Sequence, residues 1–341
     1  MGLEVVVMKR RPLILVTGAT GAIGPRVVEA FHAEGYTIRT LSIDPPLASV
    51  WPDDVENLIG DVSDASAVCA AMKDAKIVIH LAALLHIVNP PAALQEQYER
   101  INVGGTSTVV AAAVQAGVGR VAFFSTIAVY GPSHGKILTE DTPSRPDTFY
   151  ARTKLAAEKI VLEAKGADGG PIGVVLRLGA VYGSGIKGNY QRLVQSLAKG
   201  CFIPVGDGSN RRSLVYDRDV AQAAVLAAAH PDAAGRIYNV TDGEFHTMKD
   251  IIATLCHALG RRPPAFALPL PPVRWAAGLL EESSKIVHLR SPMTRETITK
   301  YTEDMAVDGQ RIRKELGFTP RYDLSHGWKE TVQEMRQAGI L

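Results

Sequence analysis

The chain has 341 residues, 46% of them hydrophobic, and a formal net charge of +2, so it can bury a large core and carries no charge excess dedicated to a nucleic acid. Its three cysteines, Cys69, Cys201 and Cys256, lie far apart and are odd in number, which suggests neither a zinc site nor a disulfide framework and fits a reducing cytoplasm. No apolar run approaches the roughly 20 residues that span a bilayer, and the start lacks a secretory signal, so a cytoplasmic protein with no membrane partner is expected.

Apolar runs bounded by turn residues alternate with amphipathic stretches along the first half. Strands are expected at Leu13–Thr17, Thr37–Ile43, Val55–Ile59, Ile77–His80, Val121–Phe124 and Gly173–Arg177. Helices are expected at Pro25–Glu34, Ala65–Met72, Gln95–Ala116 and Tyr150–Lys165. This alternation predicts an α/β fold, a doubly wound parallel sheet with helices on both faces. From about Val181 the pattern loosens around Gly and Pro, and helical periodicity returns at Asp217–Ala229, Met248–Leu259, Val273–Glu282 and Leu324–Arg336. Residues 1–180 are therefore expected to form the nucleotide-binding unit. Residues 181–341 are expected to form mostly a smaller α/β lobe, with some segments returning to the sheet.

The first strand runs into Gly18-Ala19-Thr20-Gly21-Ala22-Ile23-Gly24, a turn that aims a helix amino terminus at a pyrophosphate. Gly18, Gly21, Ala22, Ile23 and Gly24 are the candidate cradle of a Rossmann-type dinucleotide site. Twenty residues past Gly24, Asp44 stands where an acid would accept from adenosine ribose hydroxyls. A carboxylate there repels the extra phosphate of NADP, so NAD is the expected cofactor. Arg39, five residues earlier, is expected inside the strand and away from that phosphate. Asp61 and Val62 after the third strand, and Leu81, Ala82 and Ala83 after the fourth, complete the candidate cofactor residues at the carboxyl ends of strands.

Tyr150-Ala151-Arg152-Thr153-Lys154 puts a phenol and an ammonium four residues apart, on one helix face. The cation is expected to lower the tyrosine pKa so that Tyr150 takes a proton from a substrate hydroxyl, while Lys154 grips the nicotinamide ribose. In Phe124-Ser125-Thr126 a strand ends in hydroxyls, and Thr126 is a candidate for stabilising charge on the reacting oxygen. His80, His86, His134 and His246 read as a strand end and loop residues, and no metal is expected.

Together these residues resemble the extended short-chain dehydrogenase/reductase family, in its nucleotide-sugar epimerase and dehydratase branch. The resemblance rests on TGxxGxxG at Thr17–Gly24, HLAA at His80–Ala83, Asn102 in INVGGT, STxxxYG at Ser125–Gly131, YxxxK at Tyr150–Lys154 and RLGAVYG at Arg177–Gly183. It implies Thr126, Tyr150 and Lys154 as catalytic residues and a homodimer seam on the helices Gln95–Ala116 and Tyr150–Lys165. Dehydratases of the family follow the catalytic hydroxyl with an acid, where this chain has Ile127 and Ala128. Simple oxidation and re-reduction at one carbon is therefore the better fit, as in an epimerase acting at position 4 of a UDP-linked sugar. The segments Ser184–Asn189 and Gly206–Leu214 resemble those that hold the nucleotide diphosphate, so Asn189 and Arg212, with Arg211 the alternative to Arg212, join the strand-end hydroxyls Ser125 and Thr126 as the candidate substrate residues. Ala180 stands where galactose-type epimerases carry Asn, so the sugar stays open. A dehydrogenase or reductase of a hydroxysteroid-like alcohol is the alternative, and a dehydratase the remaining one.

Overall fold

A computed structural model describes residues 11–47, 50–85, 92–286 and 295–341. His86 lies outside them, so its reading as a loop residue is not addressed. Strands are β1 Arg11–Thr17, β2 Tyr36–Ser42, β3 Glu56–Ile59, β4 Ile77–His80, β5 Arg120–Thr126, β6 Ile137–Leu138, β7 Gly173–Leu178, β8 Ala180–Tyr182, β9 Arg211–Arg212, β10 Leu214–Tyr216, β11 Ile237–Val240, β12 His246–Thr247 and β13 Ala306–Val307. Among the described residues seven of them form one sheet in the order β11-β7-β5-β4-β1-β2-β3, with every pairing parallel. The strand order reverses between β1 and β4, and a crevice opens there beyond the carboxyl ends of the strands, where open α/β sheets bind ligands.

Both faces of the sheet are covered, which is why β4 and β7 read as continuous apolar runs and are buried throughout. Alternate residues sort by face. Ile14, Val16, Ile79, Phe124 and Leu176 pack beneath α1 (Gly24–Ala33) and α7 (Asp217–Ala229). Leu15, Val78, Val121, Phe123 and Val175 pack on the other side, against α2 (Ala65–Met72), α4 (Thr106–Gln115) and α5 (Phe149–Glu163). Chain after residue 180 returns to this unit, among other places as β11 on the sheet edge, as α7 against α1 and as β13 beside β6. A third core joins α6 (Asn189–Lys199), α8 (Met248–Leu259) and α12 (Leu324–Gln337) around Tyr182, Tyr216 and Trp328.

Two expected elements differ. The single helix Gln95–Ala116 is α3 (Ala92–Tyr98), a π-helical segment Glu99–Gly105 and then α4. The wider turn fits the pull on Asn102, whose amide is bonded to Leu84 and Thr153. The helix expected from Val273 is α9 (Leu270–Ile286), because Pro271 and Pro272 fall in its first turn, where no amide donor is required. The stretch Leu268–Leu280 is expected to pack within the lobe; Ala277 is buried, but Leu268 and Trp275 are 39% and 68% exposed. Helices α10 (Arg295–Thr302) and α11 (Gln310–Leu316) complete the described chain.

Candidate active site

One cavity of about 360 Å³ at the strand-order reversal gathers residues from the carboxyl ends of the strands and from α5. Gly18, Gly21, Ala22, Ile23 and Gly24 line it from the β1–α1 turn, Asp44 from beyond β2, and Asp61 and Val62 from beyond β3. Leu81, Ala82 and Ala83 line it from beyond β4, Ser125 from the end of β5, and Tyr150 and Lys154 from α5. Ser42, Ile101, Phe124 and Leu178 also contribute, and of these Ser42 has no motif to mark it in the sequence. The turn fits a pyrophosphate. Gly18 has φ +71°, and a Cβ there would stand 2.7 Å from the Ala82 backbone; one at Gly24 would stand 2.0 Å from the Ala19 carbonyl oxygen. Helix α1 begins with no side-chain cap and no acid in its first turn; the Gly24 amide donates to the Gly21 carbonyl at 3.2 Å and Pro25 has no amide donor.

Asp44 is exposed on the cavity wall. Arg39 points elsewhere: its guanidinium donates to Glu56 at 2.7 Å and to the carbonyls of Ala71 and Lys73 at 3.0 and 2.5 Å. No positive charge from that residue reaches the ribose corner, and the residues fit NAD. Asp61 accepts from the Ser63 amide and hydroxyl at 2.8 and 2.9 Å, and these bonds with Arg100 hold its carboxyl below the ordinary range against the effect of burial.

At the other end, Thr148 caps α5 by accepting from the Ala151 amide at 3.2 Å, which sets the helix face that carries Tyr150 and Lys154. The Tyr98 ring meets Tyr150 edge-on at 6.3 Å, and its hydroxyl donates to the Leu85 carbonyl. The expected lowering of the Tyr150 pKa is not what the structure gives. Burial pushes the phenol well above its ordinary value, and Tyr98 adds to the rise. Lys154 itself is 3% exposed, with its ammonium 4.0 Å from the centre of the Phe123 ring, and burial pushes it down to about 7 while Glu158 opposes. His80 is a wedge rather than a ligand: Nδ1 meets the Thr17 hydroxyl at 2.7 Å and Nε2 the Thr106 hydroxyl at 3.0 Å.

Several candidate substrate groups are engaged within the protein. The Ser125 hydroxyl donates to Glu158 at 2.5 Å, and Arg177 grips the same carboxylate, with Nη2 2.7 Å from Oε2. The Thr126 hydroxyl accepts from the Ala128 amide at 3.2 Å, capping the short helix Ile127–Tyr130, and Thr126 is not among the cavity-lining residues. Arg211 pairs with Asp304 at 2.7 Å. Arg212 donates through Nη2 to the carbonyls of Lys300 and Tyr301 at 2.5 and 3.0 Å, while its buried Nε has no partner among the described residues. Asn189 is the exposed first residue of α6, away from the cavity. His246 is not a plain loop residue: it sits on β12 opposite Arg212 and meets Asp242 at 2.7 Å. His134 is exposed in a turn at φ 50°. Arg177 opens the RLGAVYG motif, but its pairing with Glu158 could not be read there, because a buried charge pair has no sequence spacing of its own.

The family described as NAD dependent epimerase/dehydratase matches residues 14–241, which span the sheet, the cavity and α5. The chain belongs to this family. Its members are enzymes, and its cofactor is NAD. Among relatives of this epimerase/dehydratase chain, a 3 beta-hydroxysteroid dehydrogenase/Delta 5-->4-isomerase of Mycobacterium tuberculosis is 30% identical over 94% of this chain and 89% of its own. A UDP-glucose 4-epimerase of Vibrio cholerae is 29% identical over 95% and 96%. The solved structure of MoeE5 in complex with UDP-glucose and NAD superposes with a TM-score of 0.74 at 27% identity, covering 95% of this chain and 99% of that one. No helix among the described residues is long and apolar enough to cross a membrane.

Proposed function

We propose that this protein is an NAD-dependent epimerase that inverts the 4-hydroxyl of a UDP-linked hexose or derivative through a transient 4-keto sugar. The observation that carries the reading is the composition of the reacting end. Tyr150 and Lys154 line the cavity together, while the two positions after Thr126 hold the buried Ile127 and the half-buried Ala128 in place of the acid that elimination requires. Bound NAD supplies the acceptor and donor of hydride.

The remaining steps belong to side chains. Tyr150 exchanges a proton with the substrate hydroxyl, and its raised pKa makes it a holder of that proton at neutral pH. Lys154 grips ribose hydroxyls at the same end, the Gly18–Gly24 turn takes the pyrophosphate, and Asp44 takes the adenosine ribose. Thr126 can still donate its hydroxyl proton to the reacting oxygen while it accepts from Ala128. Arg212 is assigned to the diphosphate, which requires its guanidinium to turn, since its partnerless Nε is buried and its Nη2 donates to the Lys300 and Tyr301 carbonyls. The UDP-glucose 4-epimerase relative and the UDP-glucose complex of MoeE5 support the same class. The partly exposed Leu155 on α5 and Val114, 44% exposed on α4, support a homodimer through these helices.

A second reading, dehydrogenation of a non-nucleotide alcohol, is favoured by the Arg212 Nη2 bonds to Lys300 and Tyr301 and by the hydroxysteroid dehydrogenase relative. Incubation of the purified holoenzyme with UDP-glucose, UDP-N-acetylglucosamine and UDP-glucuronate, without added nucleotide, separates the two. Inversion without net NADH supports the epimerase. With NAD added as the oxidant, oxidation of a steroid alcohol with steady NADH formation, and no turnover of any UDP-sugar, overturns it.

A further inference from the structure

Lys154 is a cation in surroundings that disfavour charge. Its side chain is 3% exposed, and the charged groups around it are committed elsewhere. Glu158, one turn further along α5, is gripped by Arg177 through Nε and Nη2 and takes the Ser125 hydroxyl. His80, beneath it on β4, is kept uncharged by burial, with the nearby Lys154 acting in the same sense. Tyr150, one turn earlier, is kept as a phenol by burial.

Phe123 offers what these groups do not. Its ring centre lies 4.0 Å from the Lys154 Nζ, and the ring is 1% exposed, so the electron-rich face meets the ammonium without intervening solvent screening. The ring is also held in place. Phe123 points to the α5 side of the sheet by the alternation of β5, and the His80 ring packs against it at 5.5 Å.

We propose that Phe123 is a positioning residue for the reaction, holding the Lys154 ammonium charged and beside Tyr150 through a cation–π contact. The inference rests on the reading of Lys154 as a catalytic group. It makes the aromatic ring at position 123 part of the electrostatics of the site, where its sequence context suggests only a core residue.

The test replaces Phe123 with 3,4,5-trifluorophenylalanine, which keeps a phenyl ring of similar shape but withdraws the negative charge from its face. The Lys154 titration is followed by carbon-13 NMR of its ε-carbon in the purified protein. Weakening the contact should lower the Lys154 pKa by about 0.5–1.5 units and move the alkaline limb of kcat/KM down with it. A mono- and difluorinated series should give graded intermediate shifts. Phe123→Leu, if it folds, should shift the titration in the same direction, and the fluorinated proteins decide the matter if it does not. A Lys154 titration that stays put across the series overturns the contact. Full turnover in Lys154→Met would instead overturn the catalytic reading of Lys154, and with it the role assigned to Phe123 in the reaction.

Discussion

Tyr150 has an environment that raises its pKa and Lys154 one that lowers its own, so burial makes the phenol hold its proton while the ammonium gives its proton up more readily. Tyr150→Phe removes the hydroxyl and little else. Turnover should fall by about 10²–10⁴-fold or more, with NAD affinity unchanged by fluorescence titration. Undiminished turnover would contradict the assignment of the proton carrier. Asp44, the residue proposed to hold the adenosine ribose, lines the opposite end of the cavity. Asp44→Asn should narrow the preference for NAD over NADP, read as the ratio of their dissociation constants, because Arg39 is tied to Glu56 and the carboxylate is the repelling charge. At this scale the sequence was most readable. Glycine turns and YxxxK place donors at fixed spacing on a strand–turn–helix and on one helix face, and the same residues line one cavity. Arg212 and Ser125 were less readable, because their bonds to Tyr301 and Glu158 cross 89 and 33 residues of chain.

At the scale of elements, β1, β4 and α4 are pinned together at their ends by His80 between Thr17 and Thr106. Burial, with Lys154 in second place, pushes this imidazole from 6.5 down to about 3. The unfolded chain therefore takes up a proton below about pH 6.5 that the folded protein refuses, and stability should fall as pH drops from there toward about 3. The slope from this group is about 1.4 kcal/mol per pH unit. His80→Gln, which cannot titrate, should flatten that part of a urea-unfolding series; an unaltered slope would contradict the wedge. The Glu158–Arg177 pair is the other pin, between α5 and β7, and both side chains are at most 4% exposed. Arg177→Met should cost about 3–5 kcal/mol by leaving Glu158 buried without its partner. Element types were legible from periodicity of 2 and 3.6. The π-helical segment was not, because the bonds of Asn102 to Leu84 and Thr153 are made only after the chain has folded.

For the whole molecule, the carboxyl-terminal helix is bound back onto the nucleotide-binding unit. Glu334 on α12 accepts from Arg26 on α1 at 2.8 Å through both oxygens, from Arg218 on α7 at 3.0 Å and from Ser184 at 2.5 Å. Glu334→Gln should lower global stability by about 1.5–3 kcal/mol while leaving the Tyr150 end of the cavity intact, measured by urea unfolding against NAD binding. None of this clamp could be read from the chain, since its members stand 308, 150 and 116 residues apart. What the molecule does with the cavity it closes is the central claim, inversion at a single carbon with the cofactor recycled in place. The most direct measurement follows a UDP-hexose carrying deuterium at position 4 through turnover by the holoenzyme in ordinary water. The account predicts an inverted product that keeps the deuterium, with no build-up of NADH; loss of the label into a growing pool of reduced nucleotide would contradict it.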